Sequence, residues 1–143
     1  MKSRVVLLLI FSIASAWMVI TSGCKHESLE CDPEAIYFER DILPILNSNC
    51  ALSHCHDSET SIKGIDFSSY EAMMASDDAV DSENPMDSEL LERIKDSDPD
   101  DRMPYSYDSQ TNDYMPGDAL DPSLIRKIEI WLSMGAKNEK CYF

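Results

Sequence analysis

Cys50-Ala51-Leu52-Ser53-His54-Cys55-His56 is the stretch on which the reading of this chain turns. Two thiols stand close together with four residues between them, and a histidine follows the second directly. Two such thiols can add to the two vinyl groups of one haem. A histidine held next to the second thiol then lies under the porphyrin, where it can bind iron as the proximal ligand. The usual form of this motif has two residues between the cysteines. Read alone, the wider spacing leaves two other chemistries open. One is a disulfide between Cys50 and Cys55, and the other is a zinc site completed by His54 or His56.

The far side of a haem iron commonly takes a methionine sulfur, so the methionines come next. Met103 follows Asp98-Pro99-Asp100-Asp101-Arg102 and precedes Pro104. An acidic, proline-flanked loop suits the gap-filling role of methionine poorly and can deliver a flexible thioether to a metal. Met115, in Tyr114-Met115-Pro116-Gly117, has the same Met-Pro start and is the rival ligand. Met73, Met74, Met86 and Met134 lie in or beside helical patterns and read as packing or surface residues.

Outward from the motif, the pattern predicts helices and loops. Asp32 as cap and Pro33 at the first helical position predict a helix start. Ile36, Phe38, Ile42, Leu43, Ile45 and Leu46 supply its apolar face. Pro44 lacks an amide proton, so this segment is either kinked or two short helices, ending at Asn47-Ser48-Asn49. A short helix is expected over Ser69–Ala75, with Ser68 and Glu71 at capping-box spacing. Another is expected over Ser88–Lys95, capped by Asp87, with Leu90, Leu91 and Ile94 inward. The clearest helix starts at Asp121-Pro122 and stops at Gly135, with Leu124, Ile128, Trp131 and Leu132 on one face. Leu120 and Ile125 have the spacing of a hydrophobic staple. No alternating run is long enough to predict a strand, and residues 50–67, 77–85 and 96–118 read as loops. Loops this long pay ordering entropy with little apolar return, which a large buried cofactor would offset.

The N-terminus is not part of that fold. Lys2 and Arg4 precede an apolar run from Val5 to Ile20, too short for the roughly 30 Å hydrocarbon core and patterned as a signal peptide. Thr21-Ser22-Gly23-Cys24 resembles a bacterial lipobox, which makes Cys24 the expected lipidation site. Removing residues 1–23 leaves ten basic against 27 acidic residues, a formal charge of −17. Such a surface repels nucleic acid and anionic lipid and favours basic partners. The acidic runs Asp77–Glu83 and Asp96–Asp101 are either solvated loops or calcium sites.

Five separated segments occur in the order expected of one family. They are Ile42-Leu43-Pro44-Ile45-Leu46, the Cys-His motif, Ser68-Ser69-Tyr70-Glu71, Asp100-Asp101-Arg102-Met103-Pro104, and Ile130-Trp131-Leu132-Ser133-Met134-Gly135-Ala136. Over roughly residues 35–136 the chain resembles the planctomycete-type cytochrome c domain, in which four-residue spacers between the cysteines also occur. It departs from the family in having Tyr105 where a second proline usually follows Met-Pro. It also has a longer stretch between Met103 and the last helix.

The resemblance implies an all-α, cytochrome c-like domain over residues 32–143, with long loops around one covalently attached haem c. Residues 1–23 would be the signal peptide and 24–31 a lipidated polar tether. Cys50, Cys55 and His56 would hold the haem, with Met103 as distal ligand and Met115 as the alternative. The first and last helices of such domains pack across each other. Trp131 would then fill that contact or cover part of the haem edge. Cys31 and Cys141, which bracket the domain, could meet in a disulfide. His26 would be solvated in the tether, and His54 exposed.

The implied function is one-electron transfer to a redox protein with a basic docking surface, with no bond-making chemistry. Two other classes remain: a peroxidase-like or oxygen-reactive enzyme with an open distal site, and a non-catalytic cell-surface binding module. Export and Cys24 imply a membrane-anchored protein facing the periplasm or cell surface. Lys25 after Cys24 resembles lipoproteins sorted to the outer membrane.

Overall fold

The computed structural model describes residues 31–76 and 78–141. The signal segment, Cys24, Lys25 and His26 lie outside the described residues, as does Asp77 in the first acidic run. Among the described residues, no helix is long and apolar enough to cross a membrane.

Helix formation begins later than Asp32-Pro33 predicts. Asp32 Oδ1 instead accepts the Glu34 amide at 2.9 Å and closes a turn. The first helical residues are a π-turn, Phe38–Ile42, which runs into helix α1, Leu43–Asn49. Pro44 falls in the first turn of α1, where its missing N–H leaves no intrahelical bond unmade. The segment is thus two short pieces, and Cys50 is the C-cap of α1.

Helix α2 covers Tyr70–Met74, and its cap is Ser69, whose Oγ accepts the Ala72 amide at 3.1 Å. Ser68, the expected cap, has its own amide bound to Asp66 Oδ1 at 2.8 Å. Helix α3 covers Glu89–Lys95 with Ser88, not Asp87, at the cap. Asp87 ends a preceding 3₁₀ turn, Pro85–Asp87. Ser88 is buried, and its hydroxyl donates to the Pro85 carbonyl and accepts from the Asp81 amide. Helix α4, Pro122–Ser133, follows the pattern read from its residues: Asp121 Oδ1 accepts from Ser123 N at 2.7 Å, and Gly135 takes φ +90° beyond its end.

The expectation of an all-helical domain is corrected by a β-hairpin. Strand β1, Tyr105–Asp108, pairs antiparallel with β2, Asp113–Pro116, so the fold is mixed α/β. The pairing sets Tyr105 opposite Pro116, Ser106 opposite Met115, Tyr107 opposite Tyr114 and Asp108 opposite Asp113. The strands carry no hydrophobic alternation because this sheet does not roof the core; all of β2 is exposed. Asn112 supplies the left-handed residue (φ +56°) that brings the loop into β2, and its side-chain Oδ1 accepts the Tyr107 hydroxyl at 2.6 Å.

One core holds the helices together. Phe38, Ile42, Leu46, Met73, Ile128, Trp131 and Leu132 are all essentially inaccessible. The Phe38 ring lies 5.4 Å from Trp131 and 5.2 Å, edge-on, from Tyr70. Helix α4 thereby packs on the π-turn that leads into α1. Trp131 donates its indole N–H to the Lys137 carbonyl and does not line the cavity described below, so it serves the helix contact. Cys31 and Cys141 are joined in a disulfide with Cα atoms 5.3 Å apart, tying the two ends of the domain.

Candidate functional site

A cavity of about 620 Å³ opens beside the end of α1. Its volume lies within the roughly 300–1,000 Å³ range of small-molecule and cofactor sites. Cys50, Cys55, His56 and Met103 all line it. Ile65, Phe67, Ala79, Leu90 and Ile94 supply much of the apolar remainder. Met115 does not line it; it is 51% exposed on β2, so of the two candidate methionines only Met103 reaches the cavity.

The loop after α1 positions the motif by backbone bonds. The Ala51 amide returns to the Leu46 carbonyl, closing the helix end, and the Cys55 amide donates to Leu52 in a tight turn. The His56 amide then donates to the Cys50 carbonyl at 3.2 Å, drawing the histidine back under the first cysteine. The His56 carbonyl accepts the Phe67 amide at 2.9 Å, and the two rings meet edge-on at 5.2 Å. His54 absorbs the wide spacer by adopting φ +69°, a conformation uncommon outside glycine. Further along the loop, Ser61 and Lys63 are also left-handed, in the turn that brings Ile62 into the cavity wall.

The His56 ring is held by a backbone contact. Its Nδ1 lies 3.3 Å from the Ile65 carbonyl, which can only accept, so that nitrogen carries the proton. Nε2 is then left with a free lone pair, in the manner of metal-bound histidines whose other nitrogen donates to a carbonyl. Burial pushes the imidazole pKa down against smaller opposing effects of the Ile65 and Ile62 backbone, which keeps the ring neutral.

The two thiols are free and are not joined to each other, so the disulfide alternative for Cys50 and Cys55 does not hold. Burial pushes the Cys50 thiol up to about 12, with the Cys55 charge adding to the effect. Burial also raises Cys55, reinforced by Asp57. Both are therefore protonated at neutral pH, unlike the activated thiolates of redox or nucleophilic cysteines. Among the described residues, no three His, Cys, Asp or Glu side chains gather in a metal-binding group. His54, needed for one version of a zinc site, instead stacks on Tyr107 with ring centroids 4.3 Å apart.

The acidic runs have a local role. Asp81 Oδ1 accepts the amides of Glu83 and Asn84, Asp96 accepts that of Asp98, and Asp98 accepts that of Asp100. These are side-chain turns that shape the loops. Two residues beyond the second run stands Met103, whose amide donates to the Arg93 carbonyl at 3.0 Å and so fastens the methionine to the last turn of α3. Arg93 is itself held by Glu89 at 3.0 Å and Asp101 at 3.6 Å.

Tyr114 was not among the residues the pattern singled out, yet it lines the cavity. Its hydroxyl donates to the His54 carbonyl at 2.6 Å, and its ring lies 5.2 Å from Tyr107. The available signal was the Tyr105/Tyr107 alternation and the isolated Tyr114, too short to read as strands. At the end of β2, Gly117 approaches so closely that a Cβ there would lie 2.6 Å from the Pro104 carbonyl oxygen. The hairpin therefore abuts the cysteine loop at one end and the residue after Met103 at the other.

These donors fit a covalently held haem. Two separate thiols and an imidazole with a free Nε2 share the cavity with a thioether from a different loop, and the surrounding wall is largely apolar. No curated protein and no solved structure matches the chain. Residues 53–105 match the family described as Planctomycete cytochrome C, a stretch that takes in Cys55, His56 and Met103.

Proposed function

We propose that this protein is a one-electron carrier in which Cys50 and Cys55 would attach a haem and His56 and Met103 would hold its iron. The observation that carries the reading is the convergence of these four side chains, from two loops 47 positions apart in sequence at His56 and Met103, on one apolar cavity. The haem, when bound, supplies the reversible oxidation of iron. Cys50 and Cys55 tether it; their raised pKa values suit thiols held neutral until they become thioethers. His56 presents Nε2 because the Ile65 carbonyl holds the proton on Nδ1. Met103 presents its sulfur from a loop pinned to α3. Ile65, Phe67, Leu90 and Ile94 exclude water, which is one of the means by which a protein sets a haem potential.

In the same reading the chain is exported and anchored to a membrane through lipid on Cys24, with the haem domain facing the periplasm or cell surface. The sequence from Lys2 to Cys24 supports this part.

Intact mass of the full chain, expressed with a haem-attachment system, tests the proposal. The expected result is a mass gain of one haem that is lost when Cys50 and Cys55 are both replaced by Ala. A colourless wild-type protein without that gain would overturn it.

A further inference from the structure

All of the hairpin except Tyr105 lies outside the family match, yet it borders the cavity. Tyr114 forms part of the cavity wall and is also 39% exposed, so one side chain spans from the site to solvent. Tyr107 is 5.2 Å from it, and the His54 ring, next in sequence to Cys55, stacks on Tyr107 at 4.3 Å. Aromatic side chains thus run in contact from the attachment loop to the outer surface. Beside Tyr114, Met115 is 51% exposed, and every residue of β2 is open to solvent. Only two strands form the sheet, so the outer edge of β2 has no strand partner among the described residues.

The hairpin and the segment that follows it carry charge of one sign. Residues 103–125 contain Asp108, Asp113, Asp118 and Asp121, and no Lys or Arg. Asp108 and Asp113 stand directly opposite each other across the strands, a like-charge pairing that weakens a hairpin. Neither these two nor Asp118 forms an ion pair among the described residues. A second copy of this acidic chain would meet the same charges and be repelled, whereas a cationic surface would be steered toward them.

We infer that the exposed β2 edge of the hairpin, where Tyr114 on the cavity side and Met115 on the opposite side both reach solvent, is the docking site for a redox protein that presents a cationic surface. The inference rests on the electron-carrier reading above. It deepens that reading by assigning exchange with the partner to this edge, where Tyr114 brings the cavity wall to the surface. In each encounter one electron leaves the protein and reduces the partner's redox centre by one unit.

The experiment uses the reduced haem-loaded full chain and two small oxidants of opposite charge, tris(phenanthroline)cobalt(III) and ferricyanide. Each accepts one electron, and stopped-flow absorbance follows the oxidation. Asp108→Asn, Asp113→Asn and Asp118→Asn are combined in one variant. Glu34→Gln, Glu39→Gln and Glu139→Gln, exposed acids on the terminal segments, are combined in a control with the same change in net charge. At low ionic strength, the hairpin variant should react with the cationic oxidant roughly three- to ten-fold more slowly than wild type, and the control much less so. Ferricyanide should show the opposite trend, and the difference should fade in 1 M salt, where the screening length is about 3 Å.

Equal slowing of the two variants would mean that only total charge matters, and would overturn the docking site while leaving the carrier reading intact. A dimer that forms with rising concentration and is lost in the hairpin variant would assign the edge to a second copy and also overturn the proposal. A wild-type protein that carries no haem would overturn both readings before any rate is compared.

Discussion

The Tyr114 hydroxyl donates to the backbone carbonyl of His54 at 2.6 Å, across 60 residues of chain. This bond joins the exposed hairpin to the left-handed residue between the two cysteines. Tyr114→Phe should lower stability by about 0.5–1.5 kcal/mol, the usual net worth of one hydrogen bond, and toward the low end because the bond is exposed. A double-mutant cycle between Tyr107→Ala and His54→Ala should give a coupling of about 0.5–1.5 kcal/mol from their stacking. Urea midpoints measure both, and additive single-mutant effects would argue against the brace.

Gly117 is required by contact, since a Cβ would press on the Pro104 carbonyl oxygen at 2.6 Å. Gly117→Ala should destabilise the protein by about 1–3 kcal/mol, as overpacking does. Because Pro104 follows Met103, the variant should also disturb the methionine side of the cavity. In the haem-loaded protein that change should appear in the optical spectrum before any change in attachment mass.

Met103 and Met115 should behave oppositely when each is replaced by Ala. Loss of Met103 should open the distal side and let the reduced protein bind carbon monoxide. Loss of Met115 should leave the spectrum as in wild type, because that side chain lies outside the cavity. Carbon monoxide difference spectra distinguish the two, and the reverse pattern would reassign the ligand.

The disulfide joins residues 110 positions apart. Closing a loop of that size is worth about 4–5 kcal/mol in the chain-entropy account. Replacing Cys31 and Cys141 together by Ser should therefore lower the urea midpoint strongly, while Cys50 and Cys55 still take up haem. A midpoint unchanged within error would show that the bridge adds little to this fold.

Glu129 receives Lys95 at 2.7 Å and Arg126 at 3.0 Å. The Lys95 hydrogen bond, then that from Arg126, holds the Glu129 carboxyl below its ordinary value of 4.5. A lowered folded pKa means that the unfolded chain binds the proton more readily. Its stabilisation is thus complete above pH 4.5 and is lost as pH falls through the lower folded value. Thermal melts of wild type and Glu129→Gln should differ near neutral pH and converge in acid. Salt should shrink the difference, since both cations, Lys95 and Arg126, are exposed.

Much of the helical framework was legible in the residues. Asp121-Pro122, the spacing of Ile128, Trp131 and Leu132, and Gly135 each act through local backbone geometry or one-sided burial, which leave a periodic trace. Cap positions were less legible at α2 and α3, because Ser68, Ser69, Asp87 and Ser88 offer neighbouring acceptors. Which one caps depends on bonds from Asp66 and Asp81. The hairpin was not legible, since its strands of four residues are stabilised by pairing and by tyrosine contacts with His54. Neither leaves a hydrophobic alternation.

The chemistry of the site divides along the same line. Cys50, Cys55 and His56 stand within seven residues, so the types and spacing of side chains were enough to name a haem-attachment motif and its alternatives. The choice between Met103 and Met115 could not be made that way, because both begin the same Met-Pro pair in a polar loop. Folding separates them. The Met103 amide is held by the Arg93 carbonyl on the cavity side, while β-pairing turns Met115 out to solvent. Contacts between distant segments carry no periodic signature, and it is those contacts that bring one methionine to the site and leave the other on the surface.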